Sequence, residues 1–299
     1  MHYFILVLPS QKKIMQIYSI DTGLFKLDGG AMFGVVPKTL WQKENPADDN
    51  NMCTWAMRCM LIIDEERKIL IDTGMGNKQS EKFFSHYYPH GEASMMNSLS
   101  KLNIGPKDIT DVILTHLHFD HCGGAVKMNN DELSLTFPNA TYWSNESHWN
   151  DALHPNARER ASFLKENILP IQESGKLKFI SEEVGQRTQF SKNISIQFVH
   201  GHTSSMMIPF IQLNGRTIVY MADLIPSAAH IPLPYIMGYD MFPMTTLKEK
   251  ETFLKEAAEK NYILFFEHDP LIPACTIKKT EKGYRKDEVI QLEKMNLSI

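Results

Sequence analysis

Thr115-His116-Leu117-His118-Phe119-Asp120-His121 gathers four side chains able to donate a lone pair to a divalent metal, His116, His118, Asp120 and His121, into six residues. In an extended backbone His116, His118 and Asp120 project to one face, with His121 following at the turn. Gly123 and Gly124 come next and let the chain bend tightly beneath the cluster. An apolar run at 111–114 leads into it, so the cluster is expected in a loop at the C-terminal end of a strand, where chemistry usually sits.

Outward from this point the chain alternates strand and helix signals. Strand-like runs lie at 14–20, 59–63 and 68–71, with Asp64-Glu65-Glu66-Arg67 turning the last two into a hairpin. From about 143 to 173 the pattern is helical, a layer or cap within the fold, which Pro155 and Pro170 must break or kink. Strands return at 194–199, 208–213 and 217–222, the last two joined by Asn214-Gly215, a positive-φ turn pair. Thr246-Leu247-Lys248-Glu249 reads as a capping box opening a helix with Leu254, Ala257 and Ala258 toward a core, and a strand follows at 262–266.

The bulk numbers set the boundaries. A chain of 299 residues, 43% hydrophobic and 22% charged, can bury a large core, and with no linker-like tract or repeat it reads as a single domain, 1–299. Its net charge of −4 supplies no field for nucleic acid, and no apolar run is long enough to span a membrane. The run at 3–8 lacks the basic leader and cleavage site of a secretory signal. Cys53, Cys59, Cys122 and Cys275 form no closely spaced pair, as expected of free thiols in a reducing cytoplasm. Gly-x-Ser-x-Gly, P-loop and dinucleotide signatures are absent from the sequence, which removes the corresponding enzyme classes.

Further ligands are needed, and His202, Asp223 and His268 each follow a strand, as the first cluster does. His200 competes with His202; the triplet Gly201-His202-Thr203 favours the latter. His2, His86, His90, His148 and His154 read as ordinary surface or core histidines, Cys122 as a buried inert thiol, and the Met95-Met96 and Met206-Met207 pairs as packing.

The His-x-His-x-Asp-His motif, the early Ile71-Asp72-Thr73-Gly74 turn and the order of the later ligands resemble the metallo-β-lactamase superfamily. The resemblance implies a four-layer αβ/βα sandwich of the α/β class, with the metal site at the edge between two sheets. It assigns His116, His118 and His202 to one ion, Asp120, His121 and His268 to a second, and Asp223 to both. Two zinc ions are expected, with iron, manganese or cobalt as other occupants of such a donor set. A hydroxide bridging them would attack a polarised carbonyl or phosphoryl centre, with Asp120 shuttling the proton.

Length and the wording of the motif resemble the N-acyl homoserine lactonase branch, which implies a small-molecule lactone substrate. Another ester, a phosphotriester or a β-lactam is the alternative, and a di-iron redox or ligand-binding protein a third. That branch carries a tyrosine three residues after the bridging aspartate, where this chain has Pro226. Ser227, His230, Tyr235 and Tyr239 stand in the same loop as replacements, His230 first, as both catalytic and substrate-binding residue. Met32-Phe33 and 231–244 are candidate cavity walls, so Phe33 and Tyr239 join it as substrate-binding candidates, while Asp240 reads as a structural partner. The partly apolar segment 29–51 lacks an evident place in the core and hints at a homodimer.

Overall fold

The computed structural model describes residues 15–296. Strands β1 (Gln16–Asp28), β2 (Met52–Asp64), β3 (Arg67–Ile71) and β4 (Asp111–Ile113) open the first sheet. A separate ribbon, β5 (Val126–Asn129) and β6 (Glu132–Leu135), precedes β7 (Thr141–Ser144) and β8 (Leu177–Phe179), which complete that sheet in the order β1-β2-β3-β4-β7-β8. The second sheet runs β15-β14-β13-β12-β11-β10-β9, built from β9 (Thr188–Ser191), β10 (Ile194–Val199), β11 (Met206–Leu213), β12 (Arg216–Tyr220), β13 (Ile263–Phe265), β14 (Ala274–Thr280) and β15 (Gly283–Val289).

Side-chain alternation along the strands explains the layering. Ile69 and Ile71 of β3 and Ile62 of β2 face inward and share a core with Ile196, Ile211 and Ile218 of the second sheet. Leu70 and Leu61 face outward, under Met95 and Leu99 of helix Met95–Ser100, Trp149 of helix Glu146–Leu153, and Ile168 and Ile171 of helix Lys165–Glu173. Helix Pro243–Glu259 covers the other sheet, with Phe253 edge-on to Phe210 at 6.2 Å. The order helix, sheet, sheet, helix is the expected four-layer sandwich. Among the described residues no helix is long and apolar enough to cross a membrane.

Most sequence expectations hold, and the departures have local causes. The hairpin of β11 and β12 turns at Asn214 (φ 51°) and Gly215 (φ 75°) as expected. The first strand begins at Gln16 and runs eight residues beyond Ile20; Ile14 lies outside the described residues, as do His2 and the run at 3–8. The 143–173 helical stretch is divided: Trp143 belongs to β7, Pro155 follows the end of helix Glu146–Leu153, and Pro170 lies inside helix Lys165–Glu173 rather than ending it. The capping box at Thr246 does not form. The helix starts three residues earlier at Pro243, and the Glu249 carboxylate instead accepts the N–H groups of His200 (2.7 Å) and Gly201 (3.1 Å).

The segment 29–51, read as a hint of dimerisation, has a place in the core after all. Met32, Phe33, Val36 and Trp41 fold back on Phe25 and Trp55 in a third apolar cluster, although Val35 and Leu40 remain exposed. His230 closes that cluster: its ring stacks on Phe33 with centroids 4.4 Å apart and planes 2° from parallel. Its Nδ1 meets the Ser227 hydroxyl at 2.7 Å and its Nε2 meets the Met32 carbonyl at 2.9 Å. Burial holds this imidazole neutral, down to about 3. Between pH 6.5 and about 3 the unfolded chain therefore binds a proton that the folded chain refuses, and stability falls as pH falls through that window. His230→Gln should remove roughly 3 kcal/mol of the stability lost between pH 6.5 and 4, read from urea midpoints, at one pKa unit per 1.36 kcal/mol. An unchanged acid dependence would show that His230 titrates like an exposed histidine.

Candidate metal centre and active site

Both sheets end at one place. The Thr115–His118 stretch leaves β4 as non-helical loop, and the single-turn helix Phe119–Cys122 then carries Asp120 and His121. His202 follows β10, Asp223 lies in a 3-10 turn after β12, and His268 follows β13. Backbone bonds hold these ends together: Met207 N–H donates to the Thr115 carbonyl (2.9 Å) and Ala56 N–H to that of His268 (3.1 Å). Gly123 and Gly124 matter for space rather than for bending. Gly123 has an ordinary helical φ of −59°, but a Cβ on either residue would strike the carbonyl of Met75 or Thr73.

The seven residues read from the sequence converge as two groups. Donor atoms of His116, His118, His202 and Asp223 lie within 4.8 Å of one another, as do those of Asp120, His121 and His268. The Asp223 carboxylate divides between the groups. Its Oδ2 is 3.1 Å from His202 Nε2 and 3.9 Å from His116 Nε2, while Oδ1 is 3.1 Å from His268 Nε2 and 3.5 Å from His121 Nε2. Asp120 Oδ2 faces the second group, 3.7 Å from His268 Nε2.

Every one of these imidazoles directs its outward nitrogen at an oxygen. His202 Nδ1 faces Asp240 (2.8 Å), His268 Nδ1 the Ala56 carbonyl (2.8 Å), and His121 Nδ1 both Glu267 (2.9 Å) and Asp72 (3.1 Å). His116 Nδ1 reaches the Thr115 hydroxyl (3.1 Å), which itself donates to Asp72, whereas His118 Nε2 only faces Glu159 at 3.8 Å, beyond hydrogen-bond distance, and its tautomer is left open. The hydrogen-bonded partners fix the tautomer: the outward nitrogen carries the hydrogen and the inward one a lone pair. The inward nitrogens then meet face to face, His202 Nε2 against His118 Nδ1 at 3.2 Å and His268 Nε2 against His121 Nε2 at 3.1 Å. His116 Nε2 is buried with no hydrogen-bond partner. Imidazole nitrogens and carboxylates converging this closely, with His116 Nε2 unpaired among them, are what a divalent cation satisfies, and the donor set fits one.

The electrostatics agree. Burial opposes charge on His202 and His268, yet Asp223 outweighs it and holds them up to about 10 and about 9. A proton there does part of what a cation would do. Burial pushes Cys122 up to about 12, and its Sγ donates to the Leu117 carbonyl, in keeping with an inert thiol.

A cavity of about 380 Å³ opens over the site. His118, Asp120, His202, Asp223 and His268 line its floor, Leu27, Met32, Phe119 and Met241 its apolar walls, and Tyr87, Arg158 and Tyr239 supply hydrogen-bond donors. Tyr239 is thus where the sequence placed it. His230 and Phe33 are not: both are buried in the third cluster and neither lines the cavity, because the ring nitrogens of His230 are committed to Ser227 and Met32. Ser227 is spent on that same bond, and Tyr235 packs edge-on against Phe33. His200 pairs with Glu182 at 3.0 Å, outside the cluster.

Four supports have roles that the sequence does not show. Asp72 lies in the turn that carries the family resemblance, but neither it nor Glu159 nor Glu267 carries a local signal for orienting a histidine. His148, read as an ordinary histidine, is buried and its Nε2 accepts the Leu117 N–H at 2.9 Å, bracing the motif from behind. Tyr87 also went unnoticed, since only the fold carries helix Glu81–Tyr87 to the cavity.

Comparison with known proteins places this geometry. The metallo-beta-lactamase superfamily profile matches residues 58–268. The N-acyl homoserine lactonase AiiA of Bacillus thuringiensis subsp. kurstaki is 28% identical over 271 residues, covering 86% of this chain and 94% of that protein. The crystal structure of a probable metal-dependent hydrolase from Staphylococcus aureus superposes with a TM-score of 0.82 at 29% identity, over 94% of this chain and all of that one. AidC, a dizinc quorum-quenching lactonase solved with its N-hexanoyl-L-homoserine product, shares the fold with a TM-score of 0.72 at 22% identity, over 93% of this chain and 95% of that one. With the profile covering most of the chain and all seven converging histidines and aspartates, the chain belongs to the metallo-beta-lactamase superfamily and is a metal-dependent hydrolase.

Proposed function

We propose that the protein opens the lactone ring of N-acyl homoserine lactones at a dinuclear zinc centre. The observation that carries this reading is the divided Asp223 carboxylate, one oxygen toward each histidine group, which suits a ligand shared by two ions. His116, His118 and His202 would hold the first ion, Asp120, His121 and His268 the second, and Asp223 both. Bound there, two ions supply Lewis acidity and a water acidic enough to be a nucleophile at neutral pH.

The chain's own groups do the rest. The apolar walls of Leu27, Met32, Phe119 and Met241 accept an acyl chain and keep bulk water from the floor. Asp120 lines the cavity and turns Oδ2 toward the second group, so its other carboxylate oxygen can take a proton and return it to the departing ring oxygen. Tyr239 is the phenol available to hydrogen-bond the carbonyl oxygen in place of the branch tyrosine that Pro226 replaces. Burial raises the pKa of its hydroxyl above the usual phenol range, so it stays protonated and acts as a donor at every working pH. The relatives named N-acyl homoserine lactonase support the choice of lactone.

The direct test follows ring opening across acyl-chain lengths with a pH indicator and ranks kcat/KM against a phosphotriester, a β-lactam and an aryl ester. Lactones should rank first; no turnover at any chain length would overturn the reading. Elemental analysis should find two metal ions per chain, and chelation should abolish turnover until zinc is restored. Asp223→Asn should lower the metal content below two ions. Asp240→Asn, which loosens only the orientation of His202, should weaken metal affinity by about 10–100-fold. Tyr239→Phe should keep both ions yet lose about 10²-fold in kcat/KM; unchanged kinetics would exclude the phenol from the reaction.

A further inference from the structure

The cavity holds one feature that metal chemistry does not need. Among its lining residues Arg158 is the single lysine or arginine, in a pocket whose floor carries Asp120, Asp223 and Glu159. Its position is built rather than accidental. Asn156 Oδ1 accepts the backbone N–H groups of Arg158 (2.9 Å) and Glu159 (3.1 Å), fixing the turn. Glu159 is pinned below by the Thr203 hydroxyl (2.7 Å) and the Asn156 amide (2.6 Å). From that anchored backbone Arg158 reaches across the opening, and its Nη2 donates to the carbonyls of Gly238 and, at 3.3 Å, Asp240, on the loop that carries Tyr239.

A guanidinium has five N–H donors in a rigid fork, and Nη2 accounts for two. Among the described residues no protein acceptor is recorded for Nε or Nη1 of Arg158. We infer that Arg158 is the specificity-determining residue that binds the amide carbonyl oxygen of an acylated lactone, leaving the ring carbonyl to the floor of the cavity. This rests on the lactonase reading and adds to it a reason why the acylamino group is recognised. Arg158 is exposed at the cavity mouth, so water pairs its free N–H groups when no substrate is bound, and discrimination comes from the charge-assisted bond that an acylated lactone gains and a plain lactone cannot make.

The test compares an N-acyl homoserine lactone with a plain lactone of the same ring size that lacks the acylamino group. Arg158→Met should lower kcat/KM for the acylated substrate by about 10–100-fold, mainly through KM, and for the plain lactone by less than about 3-fold. Arg158→Lys, which can keep one bond across the opening, should fall between. Thermal midpoints and metal content of the variants control for folding. Proportional losses on both substrates would overturn the inference and leave Arg158 as a tie between two walls. A binding arm is read without turnover: the ring-opened acyl amide N-hexanoyl-homoserine should bind the native protein about tenfold more tightly than Arg158→Met, and equal affinities would also overturn it. Failure of the native protein to open any lactone would instead overturn the functional reading.

Discussion

The buried carboxylate of Asp72 is the constraint on which the site depends. Its Oδ1 accepts the Thr115 N–H and its Oδ2 the Thr115 hydroxyl, both at 2.7 Å, and Oδ2 also faces His121 Nδ1. One side chain at the end of β3 thereby fixes the start of the motif, the tautomer of His121 and, through Thr115, the tautomer of His116. To do so it sits in a left-handed backbone at φ 57°, a conformation that aspartate tolerates better than most residues. Ala222, just before Asp223, is also left-handed at φ 42°, where its Cβ makes the position costly. Strain therefore flanks the ligand group on each sheet, and the surrounding packing must hold it.

Charge balance accounts for the dryness of the place. Asp72, Asp120, Asp223, Asp240 and Glu267 are all buried within reach of the same histidines. Burial and Asp72 push Glu267 up to about 8 against the pull of His121. An apolar interior tolerates this concentration of acid only where cations are supplied. The arrangement is thus a framework for cations at least as much as a fold that happens to contain histidines.

The substrate side is built differently, from loops tied to each other. Residues 226–242 owe their shape to Lys250, whose buried ammonium donates to the carbonyls of Pro232 (3.0 Å) and Tyr235 (2.8 Å), and to the stack of His230 on Phe33. Burial holds Lys250 down to about 7. Both residues lie outside the cavity and set the path of the chain that delivers Tyr239 to it and Asp240 to His202. The same loop brings the phenol of Tyr239, thirteen residues after Pro226, to the cavity.

By itself the sequence determined the candidate metal cluster and, through its family resemblance, the layers. Metal ligation needs particular side chains at short spacings, so the cluster His116 to His121 is legible without coordinates, and the alternation of 194–199 names the face that must be buried. Asp240 was legible as a partner because it lies in the same loop as the other candidates. Only the tertiary structure decided which of the neighbouring polar residues reach the cavity. His230 and Tyr239 are nine residues apart and chemically comparable candidates, yet one is stacked and doubly hydrogen-bonded in a core and the other lines the cavity. Asp72, Glu159, His148, Tyr87 and Arg158 act through contacts between elements far apart in the chain. Spacing in sequence carries no trace of such contacts, because they exist only once two sheets have closed on a shared core.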